Sequence, residues 1–155
     1  MKREIQKVMF SSKSGYWETP DDLFSDLDRE FHFTLDVCAT KQSAKCYRFF
    51  PEDSGLLESW KDEVAFMNPP YGRAITEWIS KAHRESKYKN ATIVALLPAR
   101  TDTFWFWEYI LKPRREIRLI RGRLKFSNHK NSAPFPSMIV VFDPDDPHDL
   151  RSVRK

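Results

Sequence analysis

The sequence predicts an α/β fold with a mostly parallel sheet and an antiparallel finish. Strand-like and helix-like patterns alternate along the chain, which is the order of an α/β layer structure. Residues 91–97, ATIVALL, are almost wholly apolar, as in a parallel strand covered on both faces. Three closely spaced strand patterns follow, and the short connections between them favour antiparallel pairing. A chain of 155 residues suits one such domain, which we expect to span residues 1–155.

The first predicted elements are a polar arm and an amphipathic helix. Residues 1–15 include several serines and a glycine, so we expect a flexible arm. Thr19 offers a hydroxyl cap, Pro20 suits the first helical position, and the acids Asp21 and Asp22 complement the helix dipole. A helix is therefore predicted to begin after Thr19. Its inward positions are Leu23, Phe24, Leu27 and Phe31.

Two strands and a second helix are predicted next. Residues 31–37, FHFTLDV, and residues 64–67, VAFM, have the apolar content and the length of strands. Between Arg73 and Lys89 the apolar residues recur at helical spacing, which predicts an amphipathic helix. Its inward positions are Ile75, Trp78, Ile79 and Ala82.

The C-terminal part supplies the strand at residues 91–97, another helix and three further strands. The helix is predicted through Phe104, Trp107, Tyr109 and Ile110. The strands are predicted at residues 116–120, 122–126 and 136–142, and an acidic and then basic tail covers residues 143–155. In open sheets of this kind, ligands bind beyond the carboxyl ends of the strands. Asp36 and Asn68 lie near two such ends.

The composition favours a protein of the reducing cytoplasm with an anionic partner. Lys and Arg outnumber Asp and Glu by 26 to 22, and the sequence pI is about 9.1. Cys38 and Cys46, without a secretory segment or a long apolar run, indicate free thiols in a cytoplasmic protein with no membrane partner. The cysteines and the four histidines show no metal-ligand spacing, so no bound metal is expected.

The motif NPPY, at residues 68–71, is the strongest chemical signal in the sequence. The two hydrogens of an exocyclic amine could be held by the Asn68 side-chain carbonyl and the Pro69 backbone carbonyl. That would draw the nitrogen toward tetrahedral geometry and free its lone pair for an electrophilic methyl group. Pro69 and Pro70 make the turn rigid, and Tyr71 offers a face on which a base can stack. The alternative is a proline-stiffened turn with Tyr71 packed over the core.

The sequence resembles the small phage-type Dam group of DNA adenine N6-methyltransferases. The resemblance rests on YWETPDDLF, LDVCAT, DSGLLESW, FMNPPYG, LLPARTDTFWF, GRLKF and SAPFPS, which cover nearly all of residues 16–142. It implies a Rossmann-like methyltransferase sheet that binds S-adenosyl-L-methionine. It also implies direct displacement of the methyl group from the sulfonium and a target base turned out of its stack.

The resemblance further implies a set of cofactor-binding residues in four short stretches. Trp17, Thr19 and Pro20 match the segment that closes over the methionine end of the cofactor. Asp36, Val37, Cys38 and Ala39 match the first cofactor motif, although the glycine-rich loop of the wider superfamily is missing. Asn68 borders the same site, and Asp53 and Leu56 match the position near the adenine ring of the cofactor. The alternatives are helix caps for Thr19 and Asp36 and a solvated turn acid for Asp53.

Two segments are predicted to contact nucleic acid. Arg100, Thr101 and Asp102 follow the apolar strand, where a loop would lie beside the NPPY loop, and a surface salt bridge is the alternative. Between Lys112 and Lys130 there are eight basic residues and one acid, which suits phosphate contacts. The candidates there are Arg121, Arg123, Lys125, His129 and Lys130. The alternative for this run is the solvent side of a hairpin, and residues 127–136 form the loop expected to meet the target.

The sequence therefore predicts S-adenosyl-L-methionine-dependent methyl transfer to adenine N6 in DNA, in a bacterium or a phage-infected host cell. Two alternatives stay open. One is methylation of glutamine side chains in proteins, since NPPY also occurs in those enzymes, and the other is a non-catalytic nucleic-acid-binding partner subunit. The basic run favours nucleic acid, and the intact NPPY favours a working site. Monomer and homodimer are both compatible with the sequence.

Overall fold

The computed structural model describes residues 16–145, which form one mixed six-stranded sheet with helices on its faces. The helices are α1 (Asp21–Phe31), α2 (Glu52–Gly55), α3 (Ile75–Lys89) and α4 (Phe104–Phe106), and α4 continues into a π-helical turn, Trp107–Leu111. The strands are β1 (Leu35–Ala39), β2 (Phe49–Pro51), β3 (Val64–Met67), β4 (Thr92–Pro98), β5 (Glu116–Leu119) and β6 (Ser137–Phe142). The predicted arm, residues 1–15, and residues 146–155 of the predicted tail lie outside the described residues.

The strands lie in the order β2-β1-β3-β4-β6-β5. The first four are parallel, whereas β6 runs antiparallel to both β4 and β5. The predicted α/β sheet, mostly parallel with an antiparallel finish, is confirmed. Because the parallel strands point the same way, the segments that follow β1, β3 and β4 leave the sheet at one edge. That is the edge where open sheets of this type bind their ligands.

Both faces of the sheet are covered by apolar side chains. In β4, residues 93, 95 and 97 pack into one cluster with α3, and residues 94 and 96 pack into another with α1. Trp78 of α3 and Leu27 of α1 are buried on these two opposite sides. This two-sided burial accounts for the almost wholly apolar run that predicted β4.

The start and the end of α1 differ from the prediction. The N-cap residue is Pro20, and no side chain caps the helix, so the predicted Thr19 cap is wrong. The helix continues through Phe31 and ends at His32, which has a positive φ of 56° and donates its N–H to Asp28. The strand predicted at residues 31–37 therefore begins only at Leu35. The apolar residues before it, Phe31 and Phe33, pack on each other and on the core.

The strand predicted at residues 122–126 is also wrong. The chain leaves the sheet after β5 and crosses its face as a loop, held where the Ala133 N–H donates to the Leu124 carbonyl across 2.8 Å. Phe126 is fully buried in the cluster beneath this loop. The alternation of basic and apolar residues therefore reflects a loop that packs Leu124 and Phe126 into the core without a strand partner.

Candidate active site at the carboxyl edge of the sheet

Two neighbouring cavities open at the carboxyl edge of the parallel strands. The first cavity, of about 210 Å³, lies over β1 and β3 and is bordered by Asp36 and Asn68. The second cavity, of about 440 Å³, is bordered by Tyr71 and Arg100. Trp17 lines both of them. NPPY and the N-terminal segment therefore stand between two spaces, each of which can accept a ligand.

The roof of the first cavity is the segment of residues 16–19, which we call the strap. The Ser127 N–H donates to the Glu18 carbonyl across 2.9 Å. The side chain of Asn128 holds the strap twice: it accepts the Glu18 N–H at 2.8 Å and donates to the Tyr16 carbonyl at 2.9 Å. The rings of Trp17 and His129 stack with their centroids 3.9 Å apart. The strap is thus fixed to the loop of residues 127–129, which we call the clasp loop.

Asn68 lies under the strap, directly after β3. Its side-chain Nδ2 donates to the Trp17 carbonyl and, across 2.9 Å, to the Thr19 hydroxyl oxygen Oγ1. Its Oδ1 is buried and has no hydrogen-bond partner among residues 16–145. A buried acceptor without a donor is costly, and such atoms in native structures call for an explanation. The explanation offered by this geometry is a ligand that donates to Asn68 Oδ1.

The rest of the NPPY motif forms the wall between the cavities. Pro69 is buried and lines the first cavity. Among the described residues, no hydrogen-bond donor reaches its carbonyl oxygen. The Tyr71 hydroxyl donates to the Leu96 carbonyl at 3.0 Å, and its ring packs edge-on against Phe135 at the border of the second cavity. Burial raises the pKa of the Tyr71 phenol, which keeps it neutral as a fixed side wall.

Asp36 organises the loop that follows β1. It is the second residue of β1, so it lies earlier in the strand than predicted. Its Oδ1 accepts the Cys38 N–H at 3.2 Å, and its Oδ2 accepts the Lys45 N–H at 3.1 Å. Burial raises the pKa of Asp36 to about 6, although the two N–H groups and the nearby Lys45 charge oppose the rise. A buried carboxylate of this kind favours a cationic neighbour.

The predicted cofactor-binding residues fall into two groups. The first cavity brings together Trp17, Thr19, Asp36, Cys38, Ala39 and Asn68. It is not lined by Pro20, Val37, Asp53 and Leu56. Val37 is fully buried in the core, and Leu56 packs against it from outside. Asp53 is exposed on α2. The roles predicted for these four residues remain predictions.

Sequence reasoning missed several residues that line the first cavity. They are Tyr16, Glu18, Thr40, Ser43, Lys45, Phe66 and Asn128. Thr40 and Ser43 exchange backbone-to-hydroxyl hydrogen bonds of 2.9 and 3.1 Å, which shape the loop after β1. Their spacing, Thr-x-x-Ser directly after a strand, is a local turn signal that could have been read. Asn128 carries no such signal, because its partners in the strap are more than a hundred residues away.

The residues predicted to contact nucleic acid lie in two places: one group is at the second cavity, and the other is in the loop that holds the strap. Arg100 lines the second cavity, and Thr101 and Asp102 are exposed beside it. Arg121, Arg123, Lys125 and Lys130 are exposed and form no ion pair with another described residue. His129 instead stacks on Trp17 of the strap.

Other basic residues of the same run are engaged within the protein. Arg118 forms two hydrogen bonds of 2.6 Å to Glu30, which tie β5 to α1. Lys112 pairs with Glu108. Of the exposed cations in this run that form no ion pair with a described residue, four lie between β5 and residue 130, and Arg114 lies before β5.

Three further features of the described residues concern membrane spans, thiols and metal ligands. No helix within residues 16–145 is long and apolar enough to cross a bilayer. Cys38 and Cys46 are free thiols. In the same part of the chain, no three His, Cys, Asp or Glu side chains are grouped as metal ligands would be.

Comparison with known proteins identifies the chain's relatives. The family described as DNA N-6-adenine-methyltransferase (Dam) matches residues 7–153. The DNA N-6-adenine-methyltransferase of Haemophilus phage HP1 is 28% identical over 145 residues, covering 88% of this chain and 83% of that protein. The enzyme of the same name from Escherichia phage T1 is 30% identical over 95 residues, covering 59% of this chain and 39% of that protein. Since the family match spans nearly the whole chain, including the strap, NPPY and the clasp loop, this protein belongs to the Dam family of DNA N-6-adenine-methyltransferases.

Proposed function

We propose that this protein transfers the methyl group of S-adenosyl-L-methionine to N6 of adenine in DNA, on a Rossmann-like methyltransferase sheet. The observation that carries the proposal is Asn68 Oδ1, a buried acceptor without a donor among residues 16–145, on a residue that borders the first cavity. Family membership supports adenine in DNA as the substrate. Such a substrate implies the cytoplasm of a bacterium or of a phage-infected host cell.

The acceptor oxygens explain how an unreactive amine becomes a nucleophile. The N6 lone pair of adenine is delocalised into the ring, so it attacks poorly. Asn68 Oδ1 and the Pro69 carbonyl oxygen would each accept one N6 hydrogen and stabilise the positive charge that develops on the nitrogen. A bond would form between N6 and the methyl carbon as the carbon–sulfur bond breaks, and the electron pair of that bond would stay on sulfur. The cationic product then loses one proton to water, so no strong base is required.

The first cavity suits a cationic methyl donor. S-adenosyl-L-methionine supplies an electrophilic methyl group on a positively charged sulfur. Asp36 places a buried carboxylate at this cavity, and a cation beside it would offset the cost of burying that charge. Trp17 in the strap and the hydroxyls of Thr40 and Ser43 add an aromatic surface and hydrogen-bonding groups. We therefore assign the cofactor to this cavity.

The second cavity suits a flat base that has left its stack. Tyr71, Trp105 and Phe135 border it with aromatic side chains, and Arg100 adds a positive charge at its rim. Stacking of a base on an aromatic side chain contributes about 1 to 3 kcal/mol. Enzymes that modify a base in DNA turn it out of the duplex into such a pocket. From this position the exocyclic amine would meet the NPPY acceptors.

Methyl transfer can be measured directly. The protein is incubated with methyl-labelled S-adenosyl-L-methionine and DNA, and the DNA is digested to nucleosides and analysed for N6-methyladenine by mass spectrometry. We expect Asn68→Ala to bind the cofactor in calorimetry but to lose transfer by a factor of about 100 or more, the size of effect seen when one preorganised group that stabilises transition-state charge is removed. Glu58→Gln, at an exposed position on the surface, is the matched control and should methylate normally.

The same assay separates the alternatives. Label that appears on protein in a cell extract but not on DNA would favour a glutamine acceptor. Cofactor binding without transfer to either would favour a non-catalytic partner subunit. An Asn68→Ala variant as active as the wild type would exclude the proposed role of its side-chain carbonyl.

A further inference from the structure

We propose that Thr19 is a positioning residue for methyl transfer: with the Trp17 carbonyl, its hydroxyl fixes the Asn68 side-chain amide so that Oδ1 faces the reacting amine. This inference deepens the proposed function and rests on it for its kinetic part. Thr19 is only 3% exposed, and its Oγ1 lies 2.9 Å from Asn68 Nδ2. It assigns to Thr19 a task other than capping α1, which it does not do.

The orientation of an asparagine amide is decided by its neighbours. A backbone carbonyl can only accept a hydrogen bond, so the group of Asn68 that faces the Trp17 carbonyl must be the NH₂. The second hydrogen of that NH₂ is taken up by Thr19 Oγ1. Both Nδ2 hydrogens are then used, and Oδ1 is left as the group without a partner. The strap therefore selects which end of the amide is presented to a ligand.

The selection matters because the two ends of the amide have opposite effects on an amine. If the amide turned over, its NH₂ would face the N6 hydrogens, donor against donor, and the developing positive charge would lose an acceptor. Removing the Thr19 hydroxyl leaves only the Trp17 carbonyl to oppose this rotation. The rate should therefore fall even though Asn68 is still present.

The clasp loop makes the strap rigid enough for this role. Asn128 holds the backbone on both sides of Trp17, at the Tyr16 carbonyl and the Glu18 N–H. The Ser127 hydroxyl also donates to the Thr19 carbonyl at 3.3 Å. The carbonyl and the hydroxyl that face Asn68 thus belong to a segment with its own anchors on either side. A positioning group must itself be held in place.

The kinetic test uses two substitutions at Thr19 and a matched control. Thr19→Val removes the hydroxyl with little change in volume, and we expect kcat to fall roughly tenfold to a hundredfold, with a much smaller change in the Kd for S-adenosyl-L-methionine. Thr19→Ser keeps the hydroxyl and should restore most of the lost rate. Thr34→Val removes another threonine hydroxyl with two strong hydrogen bonds, at 2.5 Å to Glu63 and 3.0 Å to Val64, far from NPPY. That control should lose stability but keep its kcat.

A spectroscopic test decides the orientation without any turnover. The Asn68 NH₂ resonances in isotope-labelled protein are assigned by their absence in Asn68→Asp. We expect them to exchange slowly with water in the wild type, faster in Thr19→Val, and slowly again in Thr19→Ser. Fast exchange in the wild type would overturn the inference. So would a Thr19→Val variant that weakens cofactor binding while leaving kcat and the amide exchange unchanged.

The two proposals fail in different ways. If the wild type methylates no adenine, the proposed function fails, whereas the amide exchange still reports whether Thr19 orients Asn68. If Asn68→Ala is inactive and Thr19→Val is as active as the wild type, the proposed function stands and the positioning role is excluded.

Discussion

The backbone N–H of Lys45 donates to Oδ2 of Asp36 across 3.1 Å, a bond that joins β1 to the loop of residues 40–48 that follows it. The other carboxylate oxygen accepts the Cys38 N–H within β1, so a single side chain links the end of the strand to this loop. The side chain is almost completely buried, at 2% exposure. The loop that borders the first cavity therefore depends on a carboxylate whose ionisation is opposed by its surroundings.

The first prediction concerns stability and pH. The folded pKa of Asp36, about 6, lies above the ordinary value of 3.8, so the folded state binds the proton more tightly than the unfolded state. The contribution of Asp36 to the free energy of unfolding is therefore largest at low pH and is lost as the pH rises through 6. Between pH 7 and pH 5 we expect a gain of about 1 kcal/mol from this group. Urea unfolding at the two pH values measures it.

The control for this prediction compares variants by how much their unfolding free energy differs between pH 7 and pH 5. Asp36→Asn cannot titrate, so its unfolding free energy should change less between pH 7 and pH 5 than that of the wild type. Glu58→Gln removes an exposed carboxylate and should leave the wild-type difference intact. Equal differences in wild type and Asp36→Asn would show that Asp36 titrates normally.

The second prediction concerns cofactor affinity and pH. If a sulfonium cation binds beside Asp36, the ionised carboxylate is the form that binds well. At pH 5 only about a tenth of the protein would carry that form, so the apparent Kd for S-adenosyl-L-methionine should be about tenfold weaker than at pH 7. Isothermal titration calorimetry at both pH values measures the change. In Asp36→Asn the affinity should be lower at pH 7 and nearly independent of pH. If the wild-type Kd is the same at pH 5 and pH 7, the sulfonium cation does not bind beside Asp36.

The third prediction concerns Gly55, the last residue of α2. A Cβ atom at this position would lie 2.1 Å from the Val37 carbonyl oxygen and 2.7 Å from the Trp78 ring. The carbonyl belongs to β1 and cannot move without disturbing the sheet, so Gly55→Ala should destabilise the fold by about 1 to 3 kcal/mol. The midpoint of urea unfolding should fall accordingly. Asp53→Ala, an exposed change in the same short helix, should have much less effect. Similar losses of stability in both variants would show that a general disruption of α2 is the cause, and that the close contact at Gly55 is not.

The fourth prediction concerns the exposed cations between β5 and the clasp loop. If Arg121, Arg123 and Lys125 contact phosphates, each neutralising substitution to Gln should weaken DNA binding. It should also reduce the slope of log K against log salt by about 0.9. Fluorescence anisotropy with a labelled duplex at several salt concentrations gives both values. Lys61→Gln, at an exposed position before β3, is the control and should keep the full slope. An unchanged slope in all the variants would exclude this face as the DNA contact.

Much of the fold could be predicted because its strands carry simple patterns. β3 was predicted with its observed bounds, and β4 to within one residue at each end, since both are short apolar runs buried on two sides. β2 and α2 were not predicted. β2 has three residues and ends in Pro51, and α2 has four, so neither is long enough to show a period. Their structure depends on contacts with β1 and α3 that no local pattern records.

The site was predictable in the same uneven way. NPPY identified Asn68 because its chemistry lies in four adjacent residues. The strap was found by resemblance alone, and Thr19 in it was given a helix-capping alternative that the structure contradicts. In the structure, Asn68 forms hydrogen bonds with Trp17, which is 51 positions earlier in the chain, and with Thr19, which is 49 positions earlier. Pairings of that kind arise from the topology of the sheet, which the sequence specifies only as a whole.

The separation between the strap and the clasp loop has a consequence for how activity begins. Glu18 and Asn128 are 110 positions apart, so the strap leaves the ribosome long before the residues that fasten it. Chains are synthesised from the N-terminus at a limited rate, and a partly made chain would already contain NPPY and the loop of Asp36. In such a chain the strap lacks its hydrogen bonds to the clasp loop, so the segment that orients the Asn68 amide is not anchored. Incomplete translation products should therefore be unable to methylate DNA, and the enzyme should become active only when its synthesis is nearly finished.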